Sequence, residues 1–113
     1  MASFKVGTYG VQLIAIDAQF DLSNNTDLEI EFTKPDQTTL TVNKAGGVSA
    51  PSSNLTIDVD GVSTLFLANE YWLYSWVAGD LDQAGTWTAS GVYIEGASKR
   101  ACGDSVTFQV LNC

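Results

Sequence analysis

An all-β antiparallel sandwich of about seven or eight strands is the fold that the sequence predicts, on three observations. Short runs with an apolar/polar period of two recur along the chain, clusters of Gly, Pro, Asn, Asp and Ser separate them, and no stretch of convincing length carries a helical period. With 113 residues, 45% of them hydrophobic and 16% charged, the chain can bury one core. Residues 1–113 are therefore expected to form a single β-sandwich domain.

Val11 to Ile16 is rich in β-branched residues and follows the flexible Gly7-Thr-Tyr-Gly10, so it reads as the first long strand. Asp21 to Thr26 is a loop whose Asp, Ser and Asn side chains bond their own backbone. Leu28, Ile30 and Phe32 then alternate with Glu29, Glu31 and Thr33 as a half-buried strand, and the turn Lys34-Pro-Asp-Gln37 leads to its hairpin partner through Leu40 and Val42. Ala45 to Asn54 reads as a surface loop, the least ordered part of the chain. Leu55, Ile57 and Val59 alternate with Thr56, Asp58 and Asp60 until Gly61 breaks the run, and Val62 to Ala68 is a further short strand. The aromatic window Tyr71 to Val77 is followed by strands at Thr86 to Glu95 and Ser105 to Leu111, joined by residues 96–104.

Five Lys and Arg against thirteen Asp and Glu give a formal charge of −8, which repels phosphate backbones and anionic lipid. Neither nucleic acid nor a membrane surface is an expected partner. No apolar run reaches membrane-spanning length and the first residues do not form a signal peptide, so synthesis in the cytosol is expected. The sequence has no His, the usual general base, and two Cys alone cannot hold a structural zinc. Asp58 with Asp60, and Asp80 with Asp82, are carboxylate pairs that could serve a glycosidase or, better, calcium, but no EF-hand loop accompanies them and solvated surface acids are the expected reading. No cofactor and no catalytic residue are expected.

Asp80-Leu-Asp-Gln-Ala-Gly-Thr-Trp-Thr-Ala89 is the most specific string. It resembles the corner that leads into the penultimate strand of immunoglobulin-like domains, with Gly85 permitting the tight bend and Trp87 packing across the core. Trp87 stands where Tyr is usual and Ala89 where antibody domains place Cys, so neither the tyrosine-corner hydrogen bond nor the inter-sheet disulfide is expected. The predicted class becomes an immunoglobulin-like antiparallel β-sandwich. A narrower resemblance spans nearly the whole chain: Gly7-Thr-Tyr-Gly-Val-Gln-Leu, Leu28-Glu-Ile-Glu-Phe-Thr-Lys-Pro-Asp, the aromatic strand, Ala78-Gly-Asp-Leu-Asp-Gln-Ala-Gly-Thr-Trp-Thr and a terminal Val-Thr-Phe-Gln-Val follow one another as in a phage family. In this order the strings resemble the N-terminal domain of phage baseplate upper proteins and the small stand-alone virion proteins similar to it.

That resemblance implies a structural component of a tailed-phage virion, assembled in the host cytoplasm, that docks on a larger symmetric assembly. Baseplate, tail or neck attachment and capsid decoration are all compatible with it, and the partners it implies are other virion proteins and copies of the chain itself. Baseplate proteins continue into receptor-binding parts that this sequence lacks, so host binding is not expected of it. The other reading is a carbohydrate-binding or adhesin module that stacks exposed Tyr and Trp on sugar rings.

In the aromatic strand Trp72, Tyr74 and Trp76 face one side, and Tyr71, Leu73, Ser75 and Val77 the other. The resemblance puts Trp72 and Tyr74 inward. Tyr71, Leu73 and Val77 are then interface candidates, to be covered either by a loop or by another subunit. Cys102 and Cys113 flank the last strand, whose length separates them by roughly 35 Å, so they are not expected to bond to each other. They read as free thiols or as partners in an intermolecular disulfide, with Cys113 the better placed. The terminal arms, Met1 to Lys5 or the Cys113 end, are expected to be able to add a strand to a neighbour's sheet edge.

Overall fold

The computed structural model describes residues 2–59, 62–103 and 105–113. The described residues form β1 (Ala2–Lys5), β2 (Leu13–Asp17), β3 (Asp27–Thr33), β4 (Thr39–Asn43), β5 (Leu55–Val59), β6 (Val62–Phe66), β7 (Tyr71–Ser75), β8 (Gly85–Glu95), β9 (Lys99–Cys102) and β10 (Val106–Leu111), with one 3-10 turn at Lys44–Gly46. Six strands make a mixed sheet in the order β1-β10-β8-β3-β4, with β9 paired to the far end of β8. The β1–β10 pair is parallel and the other pairs are antiparallel. β2 with β7, and β5 with β6, form two further sheets of two strands each. The architecture is all-β and sandwich-like.

Two strands exceed the expected count because apolar alternation does not announce them. β1 is four residues long and β9 reads Lys-Arg-Ala-Cys, so each exists by pairing with a neighbour rather than by its own periodicity. The first long strand starts at Leu13, two residues later than expected, and Val11 is exposed. The arm at Ala2–Lys5 is bonded in register to Phe108–Leu111 of its own chain, so these residues are not a free arm. Met1 lies outside the described residues.

The periodic strands bury the faces their patterns indicate. Leu28, Ile30 and Phe32 of β3 face Ile14 and Ile16 of β2, Trp72 and Tyr74 of β7, and Trp87 and Phe108 of β8 and β10 in one core. The aromatic rings pack edge-on or tilted, Phe32 meeting Trp76 at 5.0 Å and Phe4 meeting Trp76 at 5.2 Å between centroids. Trp76 Nε1 has no hydrogen-bond partner among the described residues and lies within this ring cluster.

Trp72 joins the layers. Its indole rests on the backbone of β8 at Gly91, where a Cβ would fall well inside contact distance of three ring carbons, and on Gly103, where a Cβ would lie 2.8 Å from Cζ3. Gly103 N–H donates to the Gly91 carbonyl at 3.0 Å, and Trp72 Nε1 donates to the Val92 carbonyl at 3.2 Å. Two glycines therefore make a flat platform on which the largest side chain can lie.

The Asp80–Ala89 corner is built as its composition suggests, with one addition. Gly85 has φ +135°, and a Cβ there would meet Pro35 Cγ at 2.7 Å. Trp87 is fully buried and its Nε1 donates to the Gln83 carbonyl at 3.0 Å. A hydrogen bond from the aromatic residue to the backbone upstream thus exists here after all, made by an indole N–H in place of a phenol O–H. Ala89 is buried without a thiol partner, both cysteines being free and exposed.

Gly91→Ala is expected to destabilise the chain by about 2 kcal/mol or more, because the Trp72 ring has nowhere to retreat. Urea unfolding should show a lower midpoint at unchanged slope, whereas Gly46→Ala, at a site without positive φ where a Cβ would meet only Asn43 Oδ1 at an ordinary 3.5 Å, should show a far smaller loss.

Candidate docking edge

The expected site residues fall into separate places. Asp80 is an internal structural acceptor: its Oδ2 takes the Tyr74 hydroxyl at 2.5 Å and the Val77 N–H at 2.9 Å, tying the turn after β7 together. Asp82 pairs with Lys34 at 3.0 Å, and the Lys34 ammonium lies 5.7 Å from the Trp87 ring centroid. Gln83 donates to Asp36, whose carboxyl is held below its usual range chiefly by the Thr38 hydroxyl and also by the Thr38 N–H. These contacts clamp the corner to the β3–β4 turn. Asp58 is exposed on β5, and its companion Asp60 lies outside the described residues. Among the described residues no group of three or more His, Cys, Asp or Glu is placed to hold a metal, and no helix is long and apolar enough to cross a membrane.

The second face of the aromatic strand is largely covered from within the chain. Tyr71 is 1% exposed, packs on Phe66 at 5.6 Å between centroids and donates its hydroxyl to the Ser53 carbonyl at 2.9 Å. Leu73 is half-buried and exchanges two backbone hydrogen bonds with Ser49. Val77 lies beyond the end of β7 and is exposed. The cover comes from residues 45–54, which the sequence presents as a loose loop. They contain part of the 3-10 turn, the buried Val48, the Ser49 bridge to β7 and the Pro51 carbonyl that accepts from Asn69 N–H. Composition could not show this, because the bonds run to residues some twenty positions away.

The Ser49–Leu73 bridge links the end of the β4 region to β7, so on that side the two layers are joined by backbone hydrogen bonds. On the opposite side, among the described residues, β2 pairs only with β7 and β1 only with β10, which leaves an open side between the layers. A groove of about 640 Å³ occupies it, floored by Phe4, Ile14 and Phe108 and roofed in part by Ile57, Thr64 and Phe66 of the β5–β6 hairpin. Val11 and Leu13 line it and are exposed, Val11 to 82%. Leu65 and Leu67 are exposed on the hairpin and its exit. Asp17 and Asp58 stand at the groove, while Lys5 lies beside its adjoining part near Val11 and Leu111. Sequence reasoning missed this place because Val11 and Leu13 look like ordinary strand residues until the pairing of β1 elsewhere leaves them uncovered.

No family model matches the chain, and neither the curated proteins nor the solved structures compared with it include a match. The likeness to phage baseplate domains therefore rests on the residue strings that carry it.

Tyrosine ionisation supplies a pH test of this framework. Burial, and next the hydrogen bond to Asp80, hold the Tyr74 phenol proton above its ordinary value of 10.0, and the hydrogen bond to Glu95, with burial next, pushes Tyr93 up to about 12. A phenol whose folded value is raised favours folding fully below pH 10 and loses that contribution as pH rises through the folded value. Melting temperature is expected to fall above pH 10, and Tyr74→Phe, although less stable at neutral pH, should show a shallower fall. Trp87→Phe is expected to cost about 2 kcal/mol at neutral pH, measured by denaturant, through the lost indole volume and the unpaired Gln83 carbonyl.

Proposed function

We propose that the chain is an immunoglobulin-like sandwich serving as a structural component of a tailed-phage particle, docked by surface burial on other virion proteins and on copies of itself. The observation that carries the docking reading is the apolar groove on the open side of the sandwich, with Val11 and Leu13 exposed at it and Leu65 and Leu67 exposed on the hairpin beside it. Exposed apolar surface of this kind marks contacts with a partner, and symmetry multiplies a modest contact into a stable assembly. The immunoglobulin-like assignment draws on topology: β2 with β7 takes the place of that fold's B–E pair, β3, β8 and β10 the place of its C, F and G strands, and Trp87 the place of its corner tyrosine. The phage assignment draws on the ordered strings Gly7 to Leu13, Leu28 to Asp36 and Ala78 to Thr88.

The sugar-stacking alternative has less to draw on. Trp72, Trp76, Trp87, Tyr71, Tyr74 and Tyr93 are all buried, which leaves Tyr9 as the one exposed Tyr or Trp ring among the described residues, too few for a stacking platform. Cys102 and Cys113 are both exposed, so an intermolecular disulfide is open to either thiol. After oxidation a dimer on non-reducing electrophoresis is expected; it should weaken most in Cys113→Ser, the better placed thiol, and disappear in Cys102→Ser with Cys113→Ser.

A density map of purified particles should locate the chain at fixed stoichiometry. Replacing Val11 and Leu13, which line the groove, together by Lys is expected to cost at most about 1 kcal/mol per site while abolishing incorporation. Particles that form normally and never contain the chain would overturn the assignment.

A further inference from the structure

We propose that the free edge of β2 receives an extended segment of a partner protein, which adds as a strand antiparallel to Leu13–Asp17 and brings a basic residue at its leading end to Asp17, beside a groove that Asp58 also lines. This deepens the docking reading, on which it rests, by naming the mode of contact and the chemistry of the partner.

The argument begins with hydrogen-bond parity. Trp76 N–H donates to the Gln12 carbonyl at 3.4 Å and Ala18 N–H donates to the Glu70 carbonyl at 2.9 Å, and both pairs are in register with Ile14↔Tyr74 and Ile16↔Trp72. Even-numbered residues therefore aim their backbone groups at β7. The N–H and C=O of Leu13, Ala15 and Asp17 aim the other way, towards the open side. Among the described residues no backbone or side-chain group bonds the outward N–H and C=O of Leu13 and Ala15.

Proteins usually guard such an edge with charge, proline or a bulge. The free side of β9 carries Lys99 and Arg100, but β2 offers Leu13 and Ala15 and has a charge only at its last residue. The edge also borders an apolar groove, where alternate side chains of an added strand would find Phe4, Ile14 and Phe108. Main-chain pairing together with pockets for alternate side chains is the chemistry of strand addition. Five residues of β2 span about 17 Å, so a segment of five or six residues fills the edge. Charge selects its direction and character: Asp17 is the last residue of β2, where an antiparallel segment begins, Asp58 lines the same groove, and the chain as a whole carries −8.

Amide exchange of the whole labelled chain tests this, with the capped hexapeptide Lys-Val-Thr-Val-Thr-Val as probe and its Glu-led counterpart as control. In the free protein the Leu13 and Ala15 amides should exchange rapidly beside slow Ile14 and Ile16. Saturating Lys-led peptide should slow Leu13 and Ala15 by about ten-fold or more. The Glu-led peptide should bind about five-fold more weakly. Ala15→Pro removes one outward donor at a position where an edge strand tolerates proline, and should weaken binding by up to about ten-fold. Asp17→Lys provides a second variant, and should narrow or reverse the preference between the two peptides. Slow Ala15 exchange in the free protein, or peptide protection confined to residues 62–67, would overturn the edge inference while leaving the docking reading intact. Protection at Leu13 and Ala15 in a protein that never enters particles would uphold the edge and overturn only the particle assignment.

Discussion

Trp72 projects from the smaller β2–β7 sheet onto a backbone surface that has no side chains of its own, and this contact sets how the two layers meet. Packed sheets lie about 10 Å apart, and an indole bridges that gap only where the opposite layer is thin. Gly91 on β8 and Gly103 after β9 provide the thinness, and the Gly103 N–H to Gly91 carbonyl bond keeps the two in place. The Trp72 hydrogen bond to Val92 then satisfies the one polar side-chain atom that Trp72 itself carries into the core. Around this point Phe20 closes edge-on against both Trp72 and Tyr93, so the β8–β9 end of the large sheet depends on the same ring.

At the other end of the core the corner repeats the logic with different residues. Trp87 fills the interior beside Phe32 and Phe108 and returns its N–H to Gln83. Gln83 and Asp82 in turn hold Asp36 and Lys34 of the β3–β4 turn, and Gly85 lets Pro35 approach. An exposed ion pair contributes little by itself. Here it adds to hydrogen bonds and ring contact that hold the same two segments together.

Both clamps act on the closed parts of the sandwich. Among the described residues the side between β1 and β2 has no such device, because β1 pairs with β10 and the turn between them, whose Gly7 and Gly10 N–H groups bond the Leu81 and Trp76 carbonyls, does not pair β1 with β2. The core rings Phe4 and Phe108 therefore reach the floor of a groove, although each is almost wholly buried. The β5–β6 hairpin is a two-stranded sheet of its own, anchored through Phe66 on Tyr71, Asn54 on Ala68 and Pro51 on Asn69. Its apolar outer residues have no interior to enter.

The sequence alone was enough for the all-β class, the β3–β4 hairpin and the inward face of β3, since each depends on residues two to ten positions apart, whereas the inward set of β7 and the Trp87 corner were expected from resemblance to known domains. What lay hidden depends on pairing between distant segments. Ala2–Lys5 is a strand only because Phe108–Leu111 lies beside it, and β9 only because β8 runs past Glu95. Tyr71 looks like an interface residue until residues 49–53 and Phe66 are seen to cover it. The corner hydrogen bond needed a geometry that can be met by an indole as well as a phenol. The open β2 edge, finally, was decided by tertiary structure alone: an unpaired N–H is defined by where the rest of the backbone goes, and no periodicity of side chains records that.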